Sequence, residues 1–207
     1  MIVVGSGIAA ARLSPPDSGL ALGENALATA LGLFVIIAVF APISGAHLNP
    51  VISLVDAALG RRSWVDAAAY IPVQVLGCIA GAIMANLMFG RAAVSLSTHD
   101  RFTPAHLLSE VVATAGLVLV VFLLAGHGNH ALTPAAVGAY IGAAYFFTGS
   151  TGFANPAITV GRLFSDTFAG IAPASVPGFV GAQLVGAAIG LGLVRLLAPA
   201  VRVLPDS

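Results

Sequence analysis

The chain has 207 residues, of which 58% are hydrophobic and only 8% charged, and its formal net charge is zero. A soluble domain carries about a quarter charged residues, so eight arginines, no lysine and eight carboxylates cannot clothe a water-facing surface of this size. The composition reads as an integral membrane protein, excludes a large soluble enzyme, and, with no basic block, gives no nucleic-acid partner. The single cysteine, Cys78, excludes an intramolecular disulfide framework.

In chain order, the amino terminus MIVVGSGIAAARL holds apolar residues only as far as Arg12, roughly half of the ~20 that a membrane helix needs. It lacks the basic start and small-residue cleavage site of a signal peptide and reads as the second half of a helix. Apolar stretches approaching a full span follow at Ala26–Ile43, Ala67–Gly90, His106–Gly126, Ala131–Gly149 and Ser175–Ala198. The connectors RLSPPDSGLALGEN, RAAVSLSTHDRFTP and GHGNHALTP are polar or rich in Pro and Gly. This gives five spans and a half.

Two segments repeat one another: SGAHLNPVISLV at residues 44–55 and TGFANPAITVGRLF at 151–164. Gln74 lies 25 residues after Asn49 and Gln183 lies 28 after Asn155, each opening a Gln-x-x-Gly-x-x-x-Gly pattern. That spacing places Gln74, Gly77 and Gly81 on one helical face, and Gln183, Gly186 and Gly190 on another. Small residues four apart let helices approach closely in lipid. The chain therefore reads as one membrane domain, 1–207, built of repeat one (1–100) and repeat two (101–207). Three spans per copy invert the second relative to the first, and inverted repeats set their working site near the bilayer midplane.

Asn is a favoured N-cap and Pro suits the first helical position, so Asn49-Pro50-Val51 and Asn155-Pro156-Ala157 each open a short helix. Ten or eleven residues would give about 16 Å, half the hydrocarbon core. Inversion brings the two half-helices in from opposite faces to meet in the middle. Non-helical backbone at that depth survives only where protein or a water-filled cavity satisfies it. Their amino termini put roughly half a positive charge each beside the path, disfavouring cations.

With these motifs the chain resembles the aquaporin and aquaglyceroporin family from about Val3 onward. SGAHLNP and GFANPA are similar to its two signature loops, the first with Val51 where Ala is usual. The resemblance implies an all-α, right-handed bundle of six transmembrane helices plus two half-helices, with the first helix truncated. It implies a passive channel for small neutral solutes and water, a homotetramer in the bilayer of the inner membrane, and no cofactor or metal. Asn49 and Asn155 would be the central pair, and Glu110 a buried carboxylate supporting the second loop, its counterpart in helix one lying ahead of Met1. Within the family, TGSTGFANPAITVGRLFSDTFAGI most resembles bacterial channels that accompany arsenic-resistance genes.

Most family members carry an arginine directly after the second Asn-Pro-Ala, whereas this chain has Ile158, with Arg162 one turn further on. On that spacing Arg162 faces packed protein or the outer headgroups. Counting back from each Asn as the family does, the remaining filter positions would be Thr29, Ala143 and Gly152. Such a mouth is wider and less polar than a water-selective one, and implies passage of glycerol and, by shape, arsenite. His47 would face the inner vestibule or hold its loop, while Asp56, Asp66 and Asp166 would cap helices or pair with Arg61, Arg62 and Arg162. Arg61, Arg62, Arg195 and Arg202 fall on one side and Arg12, Arg91, Arg101 and Arg162 on the other, so charge alone does not orient the chain. His127 and His130 read as polar loop residues. The rival readings are an inverted-repeat secondary transporter, for which Glu110 is the one candidate coupling group, and a non-conducting homologue.

Overall fold

Capping chemistry fixes where the helices begin. Asp17, Ser63 and Thr103 accept from the backbone N–H groups of Leu20, Asp66 and His106, starting the long helices α2 (Ser18–Ser44), α4 (Trp64–Met88) and α5 (Pro104–Gly126). Asn49 and Asn155 do the same for the half-helices α3 (Pro50–Ala58) and α7 (Pro156–Arg162), each with Pro in its first turn. The remaining elements are α1 (Ile2–Leu13), α6 (Thr133–Phe147) and α8 (Val176–Leu197). The structure, a computed structural model, describes residues 1–197. The end of the last expected span at Ala198, and Arg202, lie outside the described residues.

Among the described residues, four helices are long and apolar enough to cross a membrane, the last counted from its leading turn as Pro173–Leu197. The span expected at Ala131–Gly149 is shorter: α6 has 15 residues, led in by a 3-10 turn at His130–Leu132. The half-helices are also shorter than their apolar runs, nine and seven residues rather than ten or eleven. α3 ends because Gly60 takes φ +75. α7 ends because the carbonyls of Leu163 and Phe164 turn to accept from the N–H groups of Ser97 and Ser95.

Each half-helix is wedged between α4 and α8, α7 chiefly against α4 of the other repeat and α3 against both α4 of its own repeat and α8 of the other, while α2 and α6 pack on each other. Arg195 in α8 donates to the carbonyl of Ala58 at the end of α3 (2.8 Å). The backbone carries the same symmetry. Gly45, Ala46 and Leu48 have φ of +80, +46 and +51; Thr151, Gly152 and Ala154, each 106 positions later, have +65, +58 and +48. Among the described residues, the four non-glycine residues with positive φ all lie in these two loops. The result is an aquaporin-like bundle. α1 fills its place in outline, with Gly7 against Ala169 and Asn25 of α2 donating to the Val3 carbonyl (3.0 Å) and Ser6 Oγ (2.8 Å).

The two glycine patterns have different fates. Gly186 and Gly190 sit where a Cβ would come within 2.5 Å of the Val111 carbonyl and 2.7 Å of Val118 Cβ, so they seat α8 against α5. In the first pattern Gly81 makes a close approach, a Cβ there coming within 2.7 Å of Met1 N, whereas Gly77 meets nothing within 4 Å and borders the cavity, so the expected close contact is not made at that glycine. Gly186→Leu is therefore expected to cost about 1–3 kcal/mol through overpacking, while Gly77→Ala leaves stability unchanged. Thermal unfolding of both variants in one detergent checks the contrast.

Candidate functional site

A cavity of about 1510 Å³ lies within the bundle, lined by residues of both half-helices and their loops. Asn49 and Asn155 border it, and each side chain has two tasks. The Oδ1 atoms cap their own helices, Asn49 accepting from Val51 N (3.0 Å) and Asn155 from Ala157 N (3.0 Å) and Ile158 N (3.2 Å). The Nδ2 atoms cross between repeats: Asn49 donates to the Ala154 carbonyl and Asn155 to the Leu48 carbonyl, both at 2.8 Å. A primary amide has two hydrogens, so one on each asparagine is left for the lumen.

A second layer holds each loop. In repeat two, Glu110 is fully buried and accepts from Ser150 Oγ (2.6 Å), Phe153 N (2.9 Å), Ala154 N (2.8 Å) and Gln183 Nε2 (2.6 Å). Gln183 also donates to Thr159 Oγ1 (2.9 Å), which donates on to the Asn155 carbonyl (2.9 Å). In repeat one, Gln74 Nε2 donates to Ser53 Oγ (3.1 Å), and His47 Nδ1 lies 3.0 Å from the same oxygen. His47 Nε2 is 3.4 Å from Asp56, which also pairs with Arg62 at 3.3 Å. The sequence pattern brought out Gln74 and Gln183 as packing markers only. Their partners, Ser53 and Thr159, each four residues beyond a capping Asn, were the readable sign of a polar role.

Thr29, Gly152 and Ile158 border the cavity, but Ala143 is not brought to it and lies on an exposed face of α6. Ile141 and Tyr145 line the cavity, and Ala143 stands about 200° of helix rotation from either. The residue opposite Thr29 is Tyr145, whose hydroxyl lies 3.1 Å from Thr29 Oγ1. The outer mouth thus has an aromatic hydroxyl that counting back from Asn155 does not reach. Phe153, buried beside Gly152, completes this level and packs edge-on against Phe179.

Beyond the mouth, extended segments are stapled together. Arg101 donates to the carbonyls of Gly170 (2.8 Å) and Phe168 (3.0 Å). Thr98 donates from N (2.9 Å) and Oγ1 (3.1 Å) to Asp166, and these bonds hold that carboxyl below its ordinary range. The pairing expected for the acidic residues is realised only at Asp56 with Arg62. Asp66 supplies a capped N–H, Arg61 lies over Phe122 at 5.8 Å, and Arg162 donates to the Ala169 carbonyl.

Glu110→Gln would turn an amide NH2 toward groups that are themselves donors. Charged hydrogen bonds lost inside a protein leave buried groups unsatisfied, at about 3 kcal/mol. The variant is expected to unfold correspondingly earlier in detergent and to expose the 148–155 loop to proteolysis, which limited digestion measures.

The chain is 50% identical over 200 residues to the aquaglyceroporin AqpS of Rhizobium meliloti, spanning 96% of this chain and 84% of that protein. It is 31% identical over 182 residues to the glycerol uptake facilitator protein of Streptococcus pneumoniae, covering 78% and 76% of the two chains. The fold matches the solved aquaglyceroporin of Plasmodium falciparum with a TM-score of 0.69 at 23% identity, over 97% of this chain and 92% of that one. The profile described as major intrinsic protein matches residues 1–154, and this chain belongs to that family of membrane channels.

Proposed function

We propose that the protein is a passive, multi-pass channel of the inner membrane for small uncharged polyols and water, with glycerol as reference solute and neutral arsenite admitted by shape. The observation that carries this reading is the asparagine pair: two amides that line the cavity, each with one hydrogen committed across the repeats and a second free to donate. Such a centre donates to hydroxyl oxygens yet offers no carboxylate to a cation. Apolar wall residues such as Ile52 and Ile141 make it costly for a solute to keep its hydration shell. Thr29, Gly152 and Ile158, joined by Tyr145, are the proposed constriction, and Glu110 and His47 its supports. By the same reading repeats 1–100 and 101–207 form one domain, the carboxy terminus is cytoplasmic and four chains assemble.

Proteoliposomes test this directly. Glycerol uptake and osmotic water flux should follow their own gradients and be indifferent to proton or sodium gradients; accumulation driven by either ion would establish a transporter instead. Ile158→Arg would narrow the mouth opposite Thr29 and Tyr145. A polyol sheds more water than water itself does, and about 1.4 kcal/mol in the barrier is tenfold in rate. Glycerol and arsenite uptake are expected to fall about tenfold while water flux falls less, and equal uptake by parent and variant would remove Ile158 from the constriction.

Asn155→Asp keeps a capping oxygen but loses the donor to Leu48 and sets a negative charge in the lumen. Cation conductance should rise above background in a variant shown to reach the membrane, as measured under voltage clamp.

A further inference from the structure

Arg162 is a buried cation whose placement packing alone does not explain. It ends α7, is only 4% exposed, and borders the cavity together with Ile158 and Phe153. Among the described residues no carboxylate lies within 4.0 Å of it; the two ion pairs present both belong to Asp56. Its one hydrogen bond there runs from Nε to the Ala169 carbonyl, and neither terminal nitrogen is sealed away from solvent without a partner. A buried charge with no counter-ion is stable only where its remaining donors meet water or a ligand. Here the cavity is what they meet.

The position of the guanidinium matters as much as its exposure. Arg162 begins one helical turn beyond Ile158, but helical side chains lean toward the amino terminus and cover the preceding turn. The Arg162 guanidinium accordingly lies 3.5 Å from the centre of the Phe153 ring. Phe153 precedes the capping Asn155 and adjoins Gly152, so the charge comes back to the level of the constriction. Nε is held by the Ala169 carbonyl and one face by the aromatic ring, which leaves the fork of terminal N–H groups as the free edge.

We propose that Arg162 is a specificity-determining residue of the outer constriction, its terminal guanidinium nitrogens donating to the hydroxyl oxygens of a passing neutral solute and its charge barring cations from a mouth whose position 158 is aliphatic. This inference rests on the channel reading above. Arg162 thereby has two parts, a peg for the 163–171 segment through Nε and a lumenal donor through its other nitrogens. A planar fork can meet two oxygens of one polyol, which a lysine ammonium cannot match in geometry.

The experiment measures cation conductance, glycerol uptake and water flux of parent, Arg162→Gln, Arg162→Lys and the double variant Ile158→Arg/Arg162→Gln in proteoliposomes, with thermal midpoints recorded for each. Arg162→Gln, which retains a donor for the Ala169 carbonyl, is expected to raise cation conductance about tenfold. The double variant should return it toward the parent value. Arg162→Lys should exclude cations as the parent does while its glycerol-to-water flux ratio falls about threefold or more. A purely structural Arg162 would instead lower stability and depress every flux together. Arg162→Gln with parent stability and parent conductance overturns the proposal. If that variant does not assemble, an Arg162→Lys protein with an unchanged glycerol-to-water ratio overturns it. A parent that passes neither glycerol nor water defeats the channel reading itself, and this inference with it; a conducting parent with indifferent Arg162 variants defeats the inference alone.

Discussion

A polypeptide that leaves the helix inside hydrocarbon must satisfy every freed N–H and C=O group from within, because each one left bare costs several kcal/mol. The loops entering α3 and α7 meet this constraint by sharing partners across the repeats. Each asparagine oxygen satisfies its own helix, and each asparagine nitrogen satisfies a carbonyl of the opposite loop. A primary amide carries an acceptor and a donor on separate atoms of one side chain: aspartate would cap without donating, and a serine hydroxyl, though both donor and acceptor, would cap without reaching the other loop. The positive φ angles at Ala46, Leu48, Thr151 and Ala154 are the strain that this crossing maintains.

The two halves are alike in backbone and unlike in anchorage. The second loop closes on a buried carboxylate with four donors, and the outer segments beyond it are pinned through Arg101, Asp166 and Thr98. The first loop is held through Ser53, Gln74 and the His47–Asp56–Arg62 chain, and Gln74 Oε1 is buried without a partner. One mouth is therefore built on a fully satisfied network around a buried carboxylate, which rigidifies when complete, and the other on the neutral Gln74–Ser53 bond and a His47–Asp56–Arg62 chain that is only partly buried. Selectivity is best housed at the rigid end, where Tyr145, Phe153 and Ile158 stand.

Much of this was legible in the sequence because capping and hydropathy are local. Asn-Pro before an apolar run, twice, gave both half-helices, and hydropathy gave the long spans. What the sequence hid is phase and reach. Counting back from Asn155 pointed to Ala143, but helix phase cannot be carried across the irregular stretch at Thr148–Ala154, and a two-residue error turns a side chain to the far face. Half-helix lengths were overread because Leu59 and the pair Leu163-Phe164 continue the apolar pattern after the helix has ended. The Glu110 role came from resemblance; its four donors lie 40 to 73 residues away, beyond any local pattern.

The crossed asparagine bonds join residues 105 and 107 positions apart. Chains are synthesised at about 5–20 residues per second, so the first loop exists for roughly 5–20 s before the carbonyl of Ala154 emerges to meet Asn49. During that interval SGAHLN can be neither fully paired nor dry. Until then α3 can lean on α4 of its own repeat, but the Asn49 amide and the Leu48 carbonyl have only water to meet. The channel is thus completed late: repeat one can seat α3 on α4 through Gln74 and Ser53, but the centre closes only when the second loop supplies the carbonyl to which Asn49 donates.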